Sequence, residues 1–311
     1  MGAPVAGSAR VTAGYAPARV VGLPEPGRCL VMGILNVTPD SFSDGGAYFS
    51  PARAIDHGLE LAAAGADIID VGGESTRPGA MPVPSSEELG RVLPVVRELS
   101  RAGVLVSIDT MHASVAAAAL DAGAAIINDV SGGLADPGMA PVVARSGVPY
   151  VVMHWRAPSR QMRQHAVYAD VTAEVTAELR DRVGNLTARG VREDQIILDP
   201  GLGFAKRPAH DWALLRDLGQ LRELGFPLLV GASRKSFLGQ LPGSGNPARV
   251  APPDRDAATA AVSALAAAAG AYCVRVHDVR SSLDAVRVAA AVAGGGAARV
   301  SPVAARCRSS S

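Results

Sequence analysis

The sequence predicts an α/β protein with the fold of a single (β/α)8 TIM barrel, and three observations predict it. Eight short apolar runs are spaced along the chain, and stretches with the period of a helix separate them. Runs that are apolar at nearly every position are typical of parallel strands, because helices cover both faces of a parallel sheet. No break in composition interrupts the series, and the 311 residues exceed the ~250 that such a barrel needs. An open, doubly wound sheet is the competing fold.

The strands are predicted in chain order from the apolar runs, which are each short enough for one strand of a barrel. They are Cys29–Leu35, Asp67–Val71, Val104–Ile108, Ala125–Ile127, Pro149–Met153, Gln195–Leu198, Pro227–Val230 and Tyr272–Val276.

Helices are predicted between the strands, where apolar residues recur with a helical period. Examples are Pro51–Ala64, Glu87–Arg101, His112–Ala122, Val171–Arg189 and Asp256–Ala269. Two other segments are predicted to be loops, because one is polar and contains a proline and the other is rich in proline and glycine. They are Ala157–Tyr168 and Gln240–Pro253.

One catalytic domain is predicted over residues 28–294, with a disordered extension at each end. Residues 1–27 are small and rich in proline and glycine, and they lack the continuous apolar stretch of a signal peptide. The tail 295–311 has a similar bias towards small residues, and we expect neither extension to have a function. The alanine-rich run 257–271 is shorter than the ~20 residues of a membrane span, so we expect a helix that faces the core.

The composition excludes several classes of function. The net charge is +1, from 30 Lys and Arg against 29 Asp and Glu, so no global basic field attracts a nucleic acid or a membrane surface. Aromatic residues make up only 4%, too few for platforms that stack single-stranded bases. The three cysteines form no CxxC pair, which argues against a zinc site or a disulfide framework and favours a cytoplasmic location.

Polar side chains follow every predicted strand, at its C-terminal end. In a parallel barrel these ends open on one face, where barrel enzymes have their active sites. Any one of these residues taken alone could simply cap the next helix. The mixture of residue types at all the strands instead predicts an active site, built from Asn36, Asp70 with Glu74, Asp109, Asn128, Met153 with His154, Asp199, Ser233 with Arg234 and Lys235, and Arg275 with His277.

Some of these residues suit a diphosphate. The loop that contains Ser75, Thr76 and Arg77 follows two glycines and can surround phosphate oxygens with donors. Arg275 and His277 lie two residues apart, on the same side of a strand. The neutral oxygen of the Asn36 amide suits Mg²⁺ that also binds water and phosphate. The structural alternatives are a glycine turn, an Asx turn, and an ion pair between the arginine and a neighbouring carboxylate.

A second set, Asp109, Asn128 and Asp199, permits two interpretations. Two carboxylates in a barrel mouth could be the acid and base of a glycosidase. They could equally bind a heterocycle, since a 2-amino-4-oxo pterin presents adjacent N–H donors to a carboxylate and ring acceptors to a donor such as Lys235. Buried hydrogen-bonding sets of this kind reject analogues strongly.

The motifs resemble those of dihydropteroate synthases over roughly residues 28 to 293. The two most specific segments are Gly33–Gly46 and Asp70–Gly79, and the motifs occur in the order of the family. His154 with Trp155, and the polar insert after them, resemble actinobacterial members in particular. The other matching segments are Ser107–Thr110, Ile127–Gly133, Asp199–Phe204, Gly231–Gly239 and Arg275–Asp278.

The resemblance implies a Mg²⁺-dependent transferase of folate synthesis. The resemblance also implies a homodimer. Its substrates would be 6-hydroxymethyl-7,8-dihydropterin pyrophosphate and p-aminobenzoate, and its products 7,8-dihydropteroate and pyrophosphate. The implied catalytic residues are Asp109, Asp199, Lys235 and Asp44. The implied pterin-binding residues are Asp109, Asn128, Met153, Asp199, Phe204, Gly231 and Lys235. The implied pyrophosphate-binding residues are Asn36, which would also bind the metal, Thr76, Arg275 and His277, and those for p-aminobenzoate are Phe42, Pro78, Phe204 and Ser236.

Two other functions stay open at this stage. A methyltetrahydrofolate–corrinoid methyltransferase has a similar barrel and binds a pterin, but it has no need of Thr76, Arg77 or the Arg275–His277 pair. A non-catalytic paralogue would bind the pterin without releasing pyrophosphate, and the intact set of Asn36, Lys235 and Arg275 weighs against it.

Overall fold

A computed structural model describes residues 20–38, 50–75, 81–158, 160–241 and 251–294. Within these ranges eight parallel strands form one sheet. The strands are β1 Leu30–Asn36, β2 Ile68–Gly72, β3 Val106–Asp109, β4 Ile126–Asp129, β5 Tyr150–Met153, β6 Ile196–Asp199, β7 Leu229–Val230 and β8 Cys273–Val276. Each overlaps the strand predicted for it.

The sheet closes into a barrel. The strand order is β6-β5-β4-β3-β2-β1-β8-β7, and the pairs are parallel, with registers such as Asp70 opposite Ser107 and Asp109 opposite Asn128. A parallel bridge between Leu198 and Leu228 joins the two edges of this order. The predicted (β/α)8 TIM barrel is therefore confirmed, and the open doubly wound sheet was the wrong alternative.

Helices follow the strands along the chain. The helices are α1 Pro51–Ala63, α2 Ser85–Arg101, α3 Ala113–Asp121, α4 Met139–Ser146, α5 Val171–Thr187, α6 Pro208–Arg216, α7 Leu218–Arg222, α8 Asp256–Ala268 and α9 Val279–Val292. The five helices predicted from periodicity correspond to α1, α2, α3, α5 and α8, and the predicted loop over residues 157–168 has no helix or strand where it is described. Asp170 caps the start of α5, where its side chain accepts hydrogen bonds from the backbone of Thr172 and Ala173.

The core has two parts, because successive residues of a strand point to opposite faces. Val31 and Leu35 of β1 belong to the large cluster between sheet and helices, whereas Leu30 and Met32 belong to a smaller cluster inside the barrel. The inner cluster is built from residues near the starts of the strands, so apolar side chains fill the N-terminal half of the barrel. Polar side chains are left for its C-terminal half.

Residues 20–27 lie in the segment predicted as an N-terminal extension. Val20 is only 5% exposed and packs into the inner cluster, and Leu23 packs against the same cluster. The segment therefore contacts the core from the side opposite the C-terminal mouth. Residues 1–19 and the tail 295–311 lie outside the described residues, and the predicted domain boundaries stay predictions.

None of the helices within the described ranges is long and apolar enough to cross a membrane. The alanine-rich helix α8 instead packs along α9, and Val262 and Ala266 of α8 are buried. Its opposite side is open, since Leu265 is 70% exposed.

Candidate active site

Charged and amide side chains meet inside the barrel at the C-terminal ends of β2, β3, β4, β6 and β8. Four of the predicted site residues, Asp109, Asn128, Asp199 and Arg275, are among them, and the first three are buried. Asp70, from β2, is completely buried in their midst. Burying this many charged groups without partners would cost much free energy, so the hydrogen bonds and ion pairs among them determine how the site is arranged.

Arg275 is the cation at the centre of this group. Its Nε donates to Asp70 Oδ2 at 2.6 Å, and one of its terminal nitrogens donates to Asp109 Oδ2 at 2.6 Å. The ion pair with neighbouring carboxylates, which the sequence left as the alternative for this residue, is thus present.

The sequence predicts Asp70 at the active face but assigns it no part in binding a substrate. Its Oδ2 accepts from the Asn128 Nδ2 at 2.9 Å as well as from Arg275. Its Oδ1 has no hydrogen-bond partner among the described residues, and the same is true of Ser107 Oγ on the neighbouring strand. A charged residue inside an otherwise apolar strand was the signal that could have revealed it, because such a charge needs partners.

Asp199 and Lys235 form the opposite side of the mouth. Asp199 Oδ1 accepts from the Gly201 backbone at 2.7 Å. A Cβ atom at Gly231 would stand 3.6 Å from Asp199 Oδ2 and 3.9 Å from Lys235 Nζ, so this glycine leaves space between the two groups. Met153 is buried at the end of β5, where its register partner is Asp199.

The pKa values of these groups are shifted towards neutrality. Burial raises the pKa of Asp109 to about 7, although Arg275 opposes this shift and Asp70 adds to it. Burial also raises the pKa of Asp199, against the opposing effect of Lys235. Burial lowers the pKa of Lys235 to about 8, and Asp199 opposes that shift. The site therefore contains a carboxyl group, Asp109, and an amine, Lys235, whose protonation can change near pH 7.

Phe204 lies beside Lys235, with its ring centroid 4.9 Å from Nζ. The same ammonium donates to the backbone carbonyl of Leu202. Ser236 is exposed at the start of a short 3-10 turn that follows Lys235. The structure thus brings Phe204, Lys235 and Ser236 to one edge of the mouth.

His277 and Asn36 lie at the ends of β8 and β1. The His277 backbone N–H donates to Ser233 Oγ at 3.1 Å, and its ring Nδ1 lies 2.9 Å from the same hydroxyl. Ser233 thus holds the imidazole from the neighbouring strand. Asn36 is half-buried, and its register partner on β2 is Gly72.

Four predicted residues, Phe42, Asp44, Thr76 and Pro78, lie outside the described residues.

A separate group of residues could bind a metal ion. Ligand atoms of Glu74, Glu88 and His112 lie within 4.8 Å of one another, and this is the one such group in the described part of the chain. Glu88 Oε2 lies 2.7 Å from His112 Nδ1, so an ion pair already uses one of these ligand atoms. Asn36, the predicted metal ligand, is not part of the group.

A family model and a sequence relative both place this chain in the same family of enzymes. Residues 32–277 match the sequence model described as "Pterin binding enzyme". The dihydropteroate synthase of Mycobacterium leprae is 56% identical over 263 residues, which cover 84% of this chain and 92% of that protein.

Solved structures agree with the sequence relatives. One of Xanthomonas albilineans dihydropteroate synthase with 4-aminobenzoic acid has a TM-score of 0.77 at 45% identity, covering 85% of this chain and 93% of the other. Another, of the X. albilineans enzyme in complex with 7,8-dihydropteroate, has a TM-score of 0.74 at 43% identity and covers 85% and 94%.

Proposed function

This chain belongs to the dihydropteroate synthases, pterin-binding transferases of folate synthesis, and from this premise we propose how its residues divide the reaction. The reaction is the condensation of 6-hydroxymethyl-7,8-dihydropterin pyrophosphate with p-aminobenzoate to give 7,8-dihydropteroate and pyrophosphate. The observation that carries the proposal is the convergence of Asp109, Asn128, Asp199, Lys235 and Arg275 at one barrel mouth.

The pterin binds between the two carboxylates. Asp199 Oδ2 faces the space beside Gly231, and a carboxylate there can accept the adjacent N–H donors of the 2-amino-4-oxo ring. Lys235 and the Asn128 amide supply donors to the ring acceptors, and Met153 contacts the ring face. Asp109 is held on one oxygen by Arg275 and accepts from the ring with the other.

The pyrophosphate binds at the ends of β1 and β8, to Asn36, Arg275 and His277, with Thr76 from the second loop. Asn36 fits Mg²⁺ by its chemistry, because it offers a half-buried neutral oxygen at the mouth, and water and phosphate oxygens would supply the other ligands. When bound, Mg²⁺ would neutralise charge on the departing pyrophosphate. The Glu74–Glu88–His112 group fits Mg²⁺ less well, since it includes an imidazole and an occupied carboxylate oxygen.

The chain's own groups stabilise both ends of the bond that breaks. Departure of pyrophosphate leaves positive charge on the pterin methylene, which the ring delocalises. The carboxylates of Asp109 and Asp199 are fixed beside that ring before the reaction and stabilise the cation. The guanidinium of Arg275 stabilises the leaving group. The neutral amine of p-aminobenzoate then attacks the methylene carbon and loses one proton to water, and no protein nucleophile takes part.

The p-aminobenzoate pocket lies at the outer edge of the mouth. Phe204 and Ser236 form its described part, and Phe42 and Pro78 from the first two loops complete it. Asp44 acts from the first loop as a catalytic residue. Closure of these loops over the pterin would form the pocket only after the first substrate binds.

We propose a homodimer and a cytoplasmic location for this chain. A homodimer would cover the exposed apolar side chains Leu265, Val288 and Val292 of α8 and α9. Cys29 and Cys273 are buried free thiols, which accords with a cytoplasmic location. The domain is proposed to span residues 28–294, with extensions at 1–27 and 295–311.

Titration calorimetry with 6-hydroxymethylpterin tests the pterin assignment. Asp199→Asn loses the second anionic acceptor, so affinity is expected to fall by roughly a hundredfold, the effect of losing a charge-assisted pair. Asp217→Asn, whose carboxylate bonds Thr172 on the outer helices, is the matched control and should bind like the wild type. Equal affinities of Asp199→Asn and the wild type would refute the assignment.

A further inference from the structure

The turn that carries Phe204 has an unusual backbone. Ala205 has φ of 48°, and Arg234 is the one other non-glycine residue with positive φ in the described ranges. Left-handed backbone is unfavourable for a residue with a Cβ, so the surroundings must hold Ala205 in place. The turn lies between β6 and α6, directly after the glycines at 201 and 203.

Lys206 supplies the first of these restraints. Its ammonium donates to the Phe204 carbonyl at 3.1 Å and to His154 Nδ1 at 3.0 Å. The first bond spans Ala205 and closes the turn around it. On the other side of Phe204, the Gly203 N–H donates to Asp211 Oδ1 at 2.7 Å. The Phe204 backbone is therefore held from both sides.

His154 fixes the position of Lys206. The ring is 3% exposed, and its Nε2 lies 2.9 Å from Glu178 Oε2. A charged Lys206 has only donors, so Nδ1 then accepts, and Nε2 carries the hydrogen that is donated to Glu178. Burial lowers the pKa of Lys206 to about 7, and Asp211 opposes that shift. Burial lowers the pKa of His154 to about 4, and Lys206 adds to the shift, in agreement with a neutral ring. Arg156 binds the same Glu178 and ties this chain of contacts to α5.

We propose that Lys206, seated by His154, is a positioning residue that fixes the strained turn at Ala205 and so sets the place of the Phe204 ring beside Lys235. This inference rests on the proposed function, in which Phe204 forms part of the p-aminobenzoate pocket. Among the described residues, the hydrogen bonds of Lys206 go to His154 and to the Phe204 carbonyl, whereas Asp199 and Lys235 interact with it only through its charge. Its effect should therefore fall mainly on the second substrate, whose pocket has Phe204 as its described aromatic wall.

The test is a kinetic double-mutant cycle of Lys206→Met and Phe204→Ala. Methionine keeps length but cannot donate, so KM for p-aminobenzoate should rise about tenfold, the loss of one bond from a charged group. The dissociation constant for 6-hydroxymethylpterin should change less than about twofold. In the Phe204→Ala background, Lys206→Met should add nothing further, because there is no ring left to position. Lys206→Arg, which can donate to both partners, should restore part of the loss.

Arg222→Met is the matched control, because Arg222 donates to the Ala269 carbonyl at 2.9 Å away from the mouth. It should lower the Tm and leave KM unchanged. If Lys206→Met does not fold, Glu178→Gln loosens His154 from the surface side and should raise the same KM about threefold. The inference is overturned if KM stays at the wild-type value, if the two effects add, or if pterin affinity falls equally. A wild-type chain that forms no dihydropteroate would instead overturn the proposed function.

Discussion

Replacement of Asp70 by Asn tests whether a carboxylate beneath the site organises it. Asp70 Oδ2 accepts from Arg275 at 2.6 Å and from Asn128 at 2.9 Å, and the residue is completely buried. Removal of one member of a buried ion pair costs about 3–5 kcal/mol when the other charge is left alone. Because Arg275 keeps its bond to Asp109, we expect the smaller loss of about 2 kcal/mol in the free energy of unfolding.

Pterin affinity should fall together with stability in Asp70→Asn. The Asn128 amide loses its fixed orientation, and Arg275 is drawn towards Asp109, so we expect about tenfold weaker binding. Urea denaturation and calorimetric titration with 6-hydroxymethylpterin measure the two quantities. The control is Asp67→Asn, which breaks the Arg28–Asp67 pair at the opposite end of the barrel. Asp67→Asn should destabilise without changing pterin affinity. Wild-type pterin affinity in Asp70→Asn would refute the reasoning.

Three further predictions concern the active site and the N-terminal end of the barrel, opposite the mouth. Pterin affinity should rise as pH increases through the pKa of Asp109, about 7, because the carboxylate form accepts hydrogen bonds from the pterin. It should fall above the pKa of Lys235, about 8, because only the ammonium form is a charged donor. Calorimetry that gives a flat profile from about pH 5.5 to 9 would contradict this. Asn36→Ala should weaken the Mg²⁺ dependence of pyrophosphate binding with no change in affinity for the pterin alone, and a wild-type metal titration would rule out its role. Val20→Asp should lower the free energy of unfolding by about 3 kcal/mol, since the 5% exposed side chain packs inside the barrel; an unchanged urea midpoint would show that the contact is unimportant.

The sequence predicted the barrel well because its signal is local. Each strand is a short apolar run, and the residue that ends it marks the active face, as Asp109 and Asp199 show. Once the strands are parallel, these ends meet on one face without any knowledge of individual contacts. That is why Asp109, Asn128 and Arg275, which are far apart in the chain, were placed together correctly.

The contacts among these residues could not be predicted in the same way. Arg275 and Asp70 are separated by 205 positions, and no periodicity in the chain specifies that they pair. Lys206 was missed for a similar reason, since its partner His154 precedes it by 52 positions. The contact of Val20 with the inner cluster could not be predicted either, because a single apolar residue in a proline- and glycine-rich segment has no periodic pattern.

The most direct test of the account is to measure both products of the purified chain with 6-hydroxymethyl-7,8-dihydropterin pyrophosphate and Mg²⁺, with and without p-aminobenzoate. The account predicts dihydropteroate and pyrophosphate in equal amounts when p-aminobenzoate is present, and loss of both in Asp199→Asn. Pterin binding with no dihydropteroate formed, under conditions in which the M. leprae relative turns over, would contradict it and identify a binding protein that retains the barrel without the reaction.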